Sequence, residues 1–66
     1  MTTFNAIEVY QDAGLKAGTA RRQGDESQAE FHSDWAKRAI KLESGDYQEK
    51  ALYAFREAYR KGASIQ

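Results

Sequence analysis

The sequence predicts an all-α fold: an antiparallel helical hairpin with an additional N-terminal helix, assembled as a homodimer or larger. Three observations carry this. The 66 residues include eleven alanines and no proline, so helix propensity is high and nothing interrupts it. Apolar residues recur at helical spacing in three stretches, about 4–22, 27–43 and 47–61, each flanked by residues that cap helices. So short a chain, with no cysteine for a disulfide or a thiolate metal site, lies near the lower size limit for folding without a partner. The whole chain, 1–66, reads as one domain.

Thr2 or Thr3 can cap the first helix. Its apolar positions Phe4, Ile7, Tyr10, Ala13, Ala17 and Ala20 keep mostly to spacings of three and four. Gly14 and Gly18 lie inside it, each costing roughly 1 kcal/mol against alanine, so the repeat Tyr10-x-x-Ala13-Gly14-x-x-Ala17-Gly18 reads as a smooth face approached by another backbone. With Phe4, Ile7 and Tyr10 it is expected to pack across the oligomer. Gly24 can end this helix, and Ser27 with Glu30 forms a capping box for the next. A single bent helix over residues 4–43 is the alternative.

On the middle helix Phe31, Trp35, Ala39 and Leu42 line one side, with His32, Ala36 and Ile40 beside them; Asp34 precedes Arg38 by one turn, the favoured order for a surface ion pair. Ser44-Gly45-Asp46 is a tight turn that makes the last two helices antiparallel neighbours. In the third helix Ala51, Leu52, Phe55, Ala58 and Tyr59 form one stripe, Asp46 with Glu49 completes a capping box, and Gly62 takes the left-handed position at the end. The expected hairpin core is Phe31, Trp35, Leu42, Leu52, Phe55 and Tyr59.

Charge and composition exclude several functions. Ten Lys and Arg balance ten Asp and Glu, which argues against general nucleic-acid binding, since that rests on surplus positive charge. No apolar run reaches the length of a membrane span and no signal-peptide core is visible near the N-terminus, so a cytoplasmic location is expected. His32, the one histidine, has Gln28 and Ala36 a turn away and thus no second ligand or base on its helix. Glu8 with Asp12, and Glu26, Glu30 and Asp34, are spaced as solvated helix faces, not as a cation-wrapping loop. With no nucleophile–base pair, no metal set and no glycine-rich phosphate loop, the reading is a non-enzyme without cofactor.

The candidate binding residues are on the third helix. Tyr53 points away from the apolar stripe, among Arg56, Arg60 and neighbouring acids, the composition of a protein-interface anchor. An alternative site for an anionic nucleotide would stack the base on Tyr10 or Tyr53 and hold phosphates with Lys16, Arg21 or Arg22.

Two resemblances accompany these readings. Gly45-Asp46-Tyr47 followed by Ala51-x-x-x-Phe55-x-x-Ala58 resembles the second half of a tetratricopeptide repeat. Trp35 and Tyr47 are each one residue out of register for it, and only one copy is present, so convergent hairpin packing is the reading. In overall format, with Met-Thr-Thr-Phe4, the Ala-Gly steps at 13–14 and 17–18 and the tail Ala-Phe55-Arg-Glu-Ala-Tyr59-Arg-Lys-Gly62, the chain is similar to small helical bacteriophage proteins that disable host factors. These include anti-CRISPR proteins, quorum-sensing anti-activators and cyclic-nucleotide sponges. The resemblance implies a cytoplasmic inhibitor of a host protein or, as the alternative, an oligomeric nucleotide sponge; it transfers no functional residue.

Overall fold

The computed structural model describes residues 6–64, and all three of its elements are helices: α1 (Ala6–Arg22), α2 (Glu26–Lys41) and α3 (Gly45–Ala63). Thr2, Thr3 and Phe4 lie outside the described residues.

The first turn is built by Gly24, whose φ of 82° is open to glycine at little steric cost. Its N–H donates to the Arg21 carbonyl at 3.1 Å and the Asp25 N–H donates to the Ala20 carbonyl at 2.8 Å, the paired bonds of a Schellman ending. The chain therefore breaks here and does not run on as one bent helix. The cap of α2 differs from the expected Ser27 box. Asp25 is the N-cap, its carboxylate accepting from the Gln28 N–H at 3.2 Å.

At the second turn Ser44, not Asp46, is the N-cap of α3, and it makes no side-chain capping bond. The Gln48 side chain instead reaches back and donates to the Lys41 carbonyl at 3.1 Å, satisfying a terminal acceptor of α2. Gly62 is not the left-handed terminator either. It has no positive φ and lies within α3, which continues to Ala63.

Gly62 is needed for a different reason. The three helices run up, down, up, so α1 and α3 are parallel, and their backbones touch at glycines. A methyl group on Gly14 would overlap the Phe55 carbonyl, and one on Gly18 the Tyr59 carbonyl, with the Ala63 nitrogen at 2.8 Å. A methyl on Gly62 would sit 2.5 Å from the Leu15 carbonyl and 2.9 Å from the Thr19 nitrogen. The Ala-Gly face of α1 is thus consumed within the chain, not across an oligomer. Alanines flank this seam: Ala13, Ala17, Ala51 and Ala54 are buried beside it.

This seam decides what the core can hold. Of the ten described hydrophobic residues that are buried, seven are alanine; the large ones are Tyr10, Ile40 and Phe55. α2 packs on α1 through Ala36 and Ile40 and meets α3 only slightly, so the expected α2–α3 hairpin core does not form. Phe55 is buried and Tyr59 half-buried as that expectation required, but Phe31, Trp35, Leu42 and Leu52 are exposed.

Parallel packing also brings like ends of two helix dipoles together. Arg21 and Arg22 end α1, and Arg60 and Lys61 end α3, opposing the paired negative C-termini. Arg22 goes further, its Nε donating to the Gly62 carbonyl at 3.1 Å and tying the two ends to each other.

Gly18→Ala should destabilise the protein by roughly 2–3 kcal/mol, because the obstructing atoms are backbone and cannot rotate away. Gly45, inside the same kind of helix, has open space around it, so Gly45→Ala should be neutral or gain up to about 1 kcal/mol. Urea unfolding followed by circular dichroism on both variants checks the contrast.

Candidate functional site

The helix spacing that buries one stripe of α3 turns the opposite one to solvent. Tyr53, Arg56 and Arg60 follow each other at three and four residues along that outer face, and all three line one shallow depression with Glu57, Tyr59 and Ala63. Tyr53 is 68% exposed. Arg60 approaches Glu57 at 3.9 Å, a loose surface pair that leaves most of its guanidinium in water. The sequence-predicted anchors are therefore contiguous, with a ring that can be covered and two cations beside it.

Tyr53 also overlooks a second groove, between α1 and α3, with a volume of about 710 Å³. Ile7, Leu15, Ala54 and Ala58 line it, with Lys50 and Lys61 along its edge. Leu15, 46% exposed, was not singled out in the sequence because its place beside the apolar face of α1 is set by where α3 lands. A third groove opens between α2 and α3, because those helices barely meet. Phe55 and Tyr59 line it together with Arg21, Lys37 and Arg56 and with Glu30 and Asp34. Mixed charge over an aromatic lining suits a polypeptide better than a phosphate, which would meet two carboxylates there.

The alternative nucleotide set is not gathered. Tyr10 is 3% exposed and its hydroxyl donates to Glu43 Oε2 at 2.7 Å, so its ring is not free to stack on a base. Lys16 pairs with Asp12 at 3.0 Å on the surface of α1. Arg22 is committed to the Gly62 carbonyl, and Arg21 faces the α2–α3 groove. Tyr10, Lys16, Arg21 and Arg22 therefore line no common depression; Tyr53, the other ring named for stacking, lies beside Arg56 and Arg60 instead.

His32 packs edge-on against Phe31, with ring centroids 5.3 Å apart, and borders solvent. Among the described residues no group of three or more His, Asp or Glu is placed to hold a metal ion, and no polar or charged side chain is buried. None of the described helices is long and apolar enough to cross a membrane.

Comparison of the chain with protein-family models, with curated proteins and with solved structures gave no match in any of the three.

Tyr10 is the chemically distinctive group, and its role is structural. Burial, then the hydrogen bond and the negative charge of Glu43, push its phenol up to about 12 from an ordinary 10.0. A raised pKa means that the folded state holds the proton more tightly than the unfolded chain. The contribution is complete below pH 10 and is lost as pH rises towards about 12, on the order of 2 kcal/mol in all. The urea midpoint of the wild type should fall across that window more steeply than that of Tyr10→Phe. At neutral pH the variant should be about 1 kcal/mol less stable, having lost the bond to Glu43.

Proposed function

We propose that this chain is a small non-enzymatic binding protein that occludes a partner protein, with Tyr53, Arg56 and Arg60 as its anchors, and that it works as a homodimer or larger assembly. The observation that carries the reading is the outer face of α3. A 68%-exposed tyrosine and two arginines lie along one depression, on a helix whose other side is locked to α1. Tyrosine and arginine are the residues most enriched at energetic centres of interfaces, since each offers broad contact area and a polar end. A rigid helix presents them with little ordering cost.

The format shared with small phage-encoded inhibitors makes a host factor or a defence component the class of target, met in the host cytoplasm. The nucleotide-sponge alternative stands lower, because Tyr10 is buried and bonded to Glu43, and Lys16 and Arg22 are engaged within the chain.

The test is affinity capture from host extract with the wild type, followed by titration of the captured protein against wild type and Tyr53→Ala. The variant should keep its helical circular dichroism and bind at least about 30-fold more weakly, the loss that truncating a hot spot of about 2 kcal/mol brings. A folded variant with unchanged affinity contradicts the reading. So does an unfolded one, which would place Tyr53 in the core.

A further inference from the structure

We infer that the exposed face of α2 is a twofold dimer interface, on which a second copy of this chain packs its own α2 in antiparallel register. The face is an unbroken stripe. Phe31, Trp35, Arg38 and Leu42 follow at four, three and four residues, so they share one side of the helix. Phe31 is 61% exposed, Trp35 45% and Leu42 89%, half of the large hydrophobic residues exposed in the described chain. Scattered apolar residues on a surface are ordinary, but three in line with a tryptophan at the centre mark an interaction face. Within the chain Trp35 meets the Tyr10 ring at a centroid distance of 6.3 Å, and its outer side is open.

The charges choose the occupant. Asp34 and Arg38 border Trp35 one helical turn apart, yet they do not form the ion pair that their spacing favours. Neither makes a salt bridge with any described residue. Across an antiparallel twofold on the exposed side of α2, level with residues 36 and 37 along the helix, Asp34 of each copy faces Arg38 of the other, so two reciprocal pairs form. The same axis sets Phe31 of each copy against Leu42 of the other, and brings each Arg38 towards the opposite Trp35. One axis satisfies the apolar and the charged positions at once, which is the self-complementarity that an isologous interface requires. A parallel arrangement would bring Arg38 of the two copies together near the middle of the stripe and leave the two Asp34 side chains on opposite flanks, unable to pair. The patch is small, so the dimer is of about micromolar strength.

This assignment deepens the oligomeric part of the proposed function and leaves the outer face of α3 free for the partner. It also relocates self-association from the Ala-Gly face of α1, which α3 already covers.

Sedimentation equilibrium tests it on the full chain. The wild type should weigh two 7.5 kDa chains at tens of micromolar. D34R carries only positive charge at the two positions and R38D only negative, so each alone should dimerise at least about 10-fold more weakly. Both should keep the wild-type helical circular dichroism, because both positions are exposed. An equimolar mixture of the two variants should restore the dimer, since every facing pair is then of opposite sign. A monomeric wild type overturns the inference, as does any oligomer that both single variants leave intact. Either result leaves the Tyr53 titration to be read on its own; a monomeric wild type also removes the oligomeric part of the proposed function, whereas an oligomer that both variants leave intact removes only the α2 interface.

Discussion

Backbone contact between α1 and α3 sets everything else in this fold. Gly14 and Gly18 on one helix, and Gly62 on the other, remove the side chains that normally hold helices about 8–10 Å apart. The helices meet along their peptide groups, and only residues the size of alanine fit beside the seam. Dispersion between closely packed backbone atoms then does much of what large side chains do elsewhere. The cost is a core with three large residues, Tyr10, Ile40 and Phe55, which leaves little margin in so short a chain.

That constraint explains what was legible in the sequence and what was not. The helical class was readable because alanine content, the absence of proline and the period of the apolar residues agree. The demand for a close backbone at Gly14 and Gly18 was also readable, but sequence carries no information on which backbone answers it. Gly62 illustrates the same degeneracy. A glycine near the end of a helical pattern serves equally as a left-handed terminator or as a contact point, and only the register of α3 against α1 separates the two. The large apolar residues of α2 and its end, and Leu52 of α3, misled for a deeper reason. The expectation that Phe31, Trp35, Leu42 and Leu52 fill the core assumes that the widest space lies between α2 and α3. Here the space beside the tightest contact is the core, and it admits alanine. The outer position of Tyr53, Arg56 and Arg60 was legible because the buried stripe of α3 defines its opposite face, whichever helix covers that stripe. Leu15 and the α2–α3 groove were not, since both arise from where helices fail to meet.

With small residues inside and large ones outside, the surface becomes the place where this chain can gain binding energy. Two faces are separate in kind. The outer side of α3 offers a tyrosine with two largely solvated arginines, suited to an acidic or hydrogen-bonding partner. The outer side of α2 offers an aromatic stripe with one charge of each sign, suited to its own image. Rigid docking of α1 to α3 holds Tyr53 and the arginines in fixed relation, while the α1–α2 contact through Ala36 and Ile40 holds the stripe.

The α1–α3 seam is open to direct observation. In a nuclear Overhauser spectrum the Hα protons of Gly18 and Gly62 should give a strong cross-peak, and those of Gly14 should reach the Ala58 methyl. The same spectrum should lack contacts between the Trp35 indole and Leu52. Absence of the glycine cross-peaks, with Trp35 instead in contact with Leu52 and Phe55, would replace the parallel seam by an α2–α3 hairpin and contradict this account of the fold.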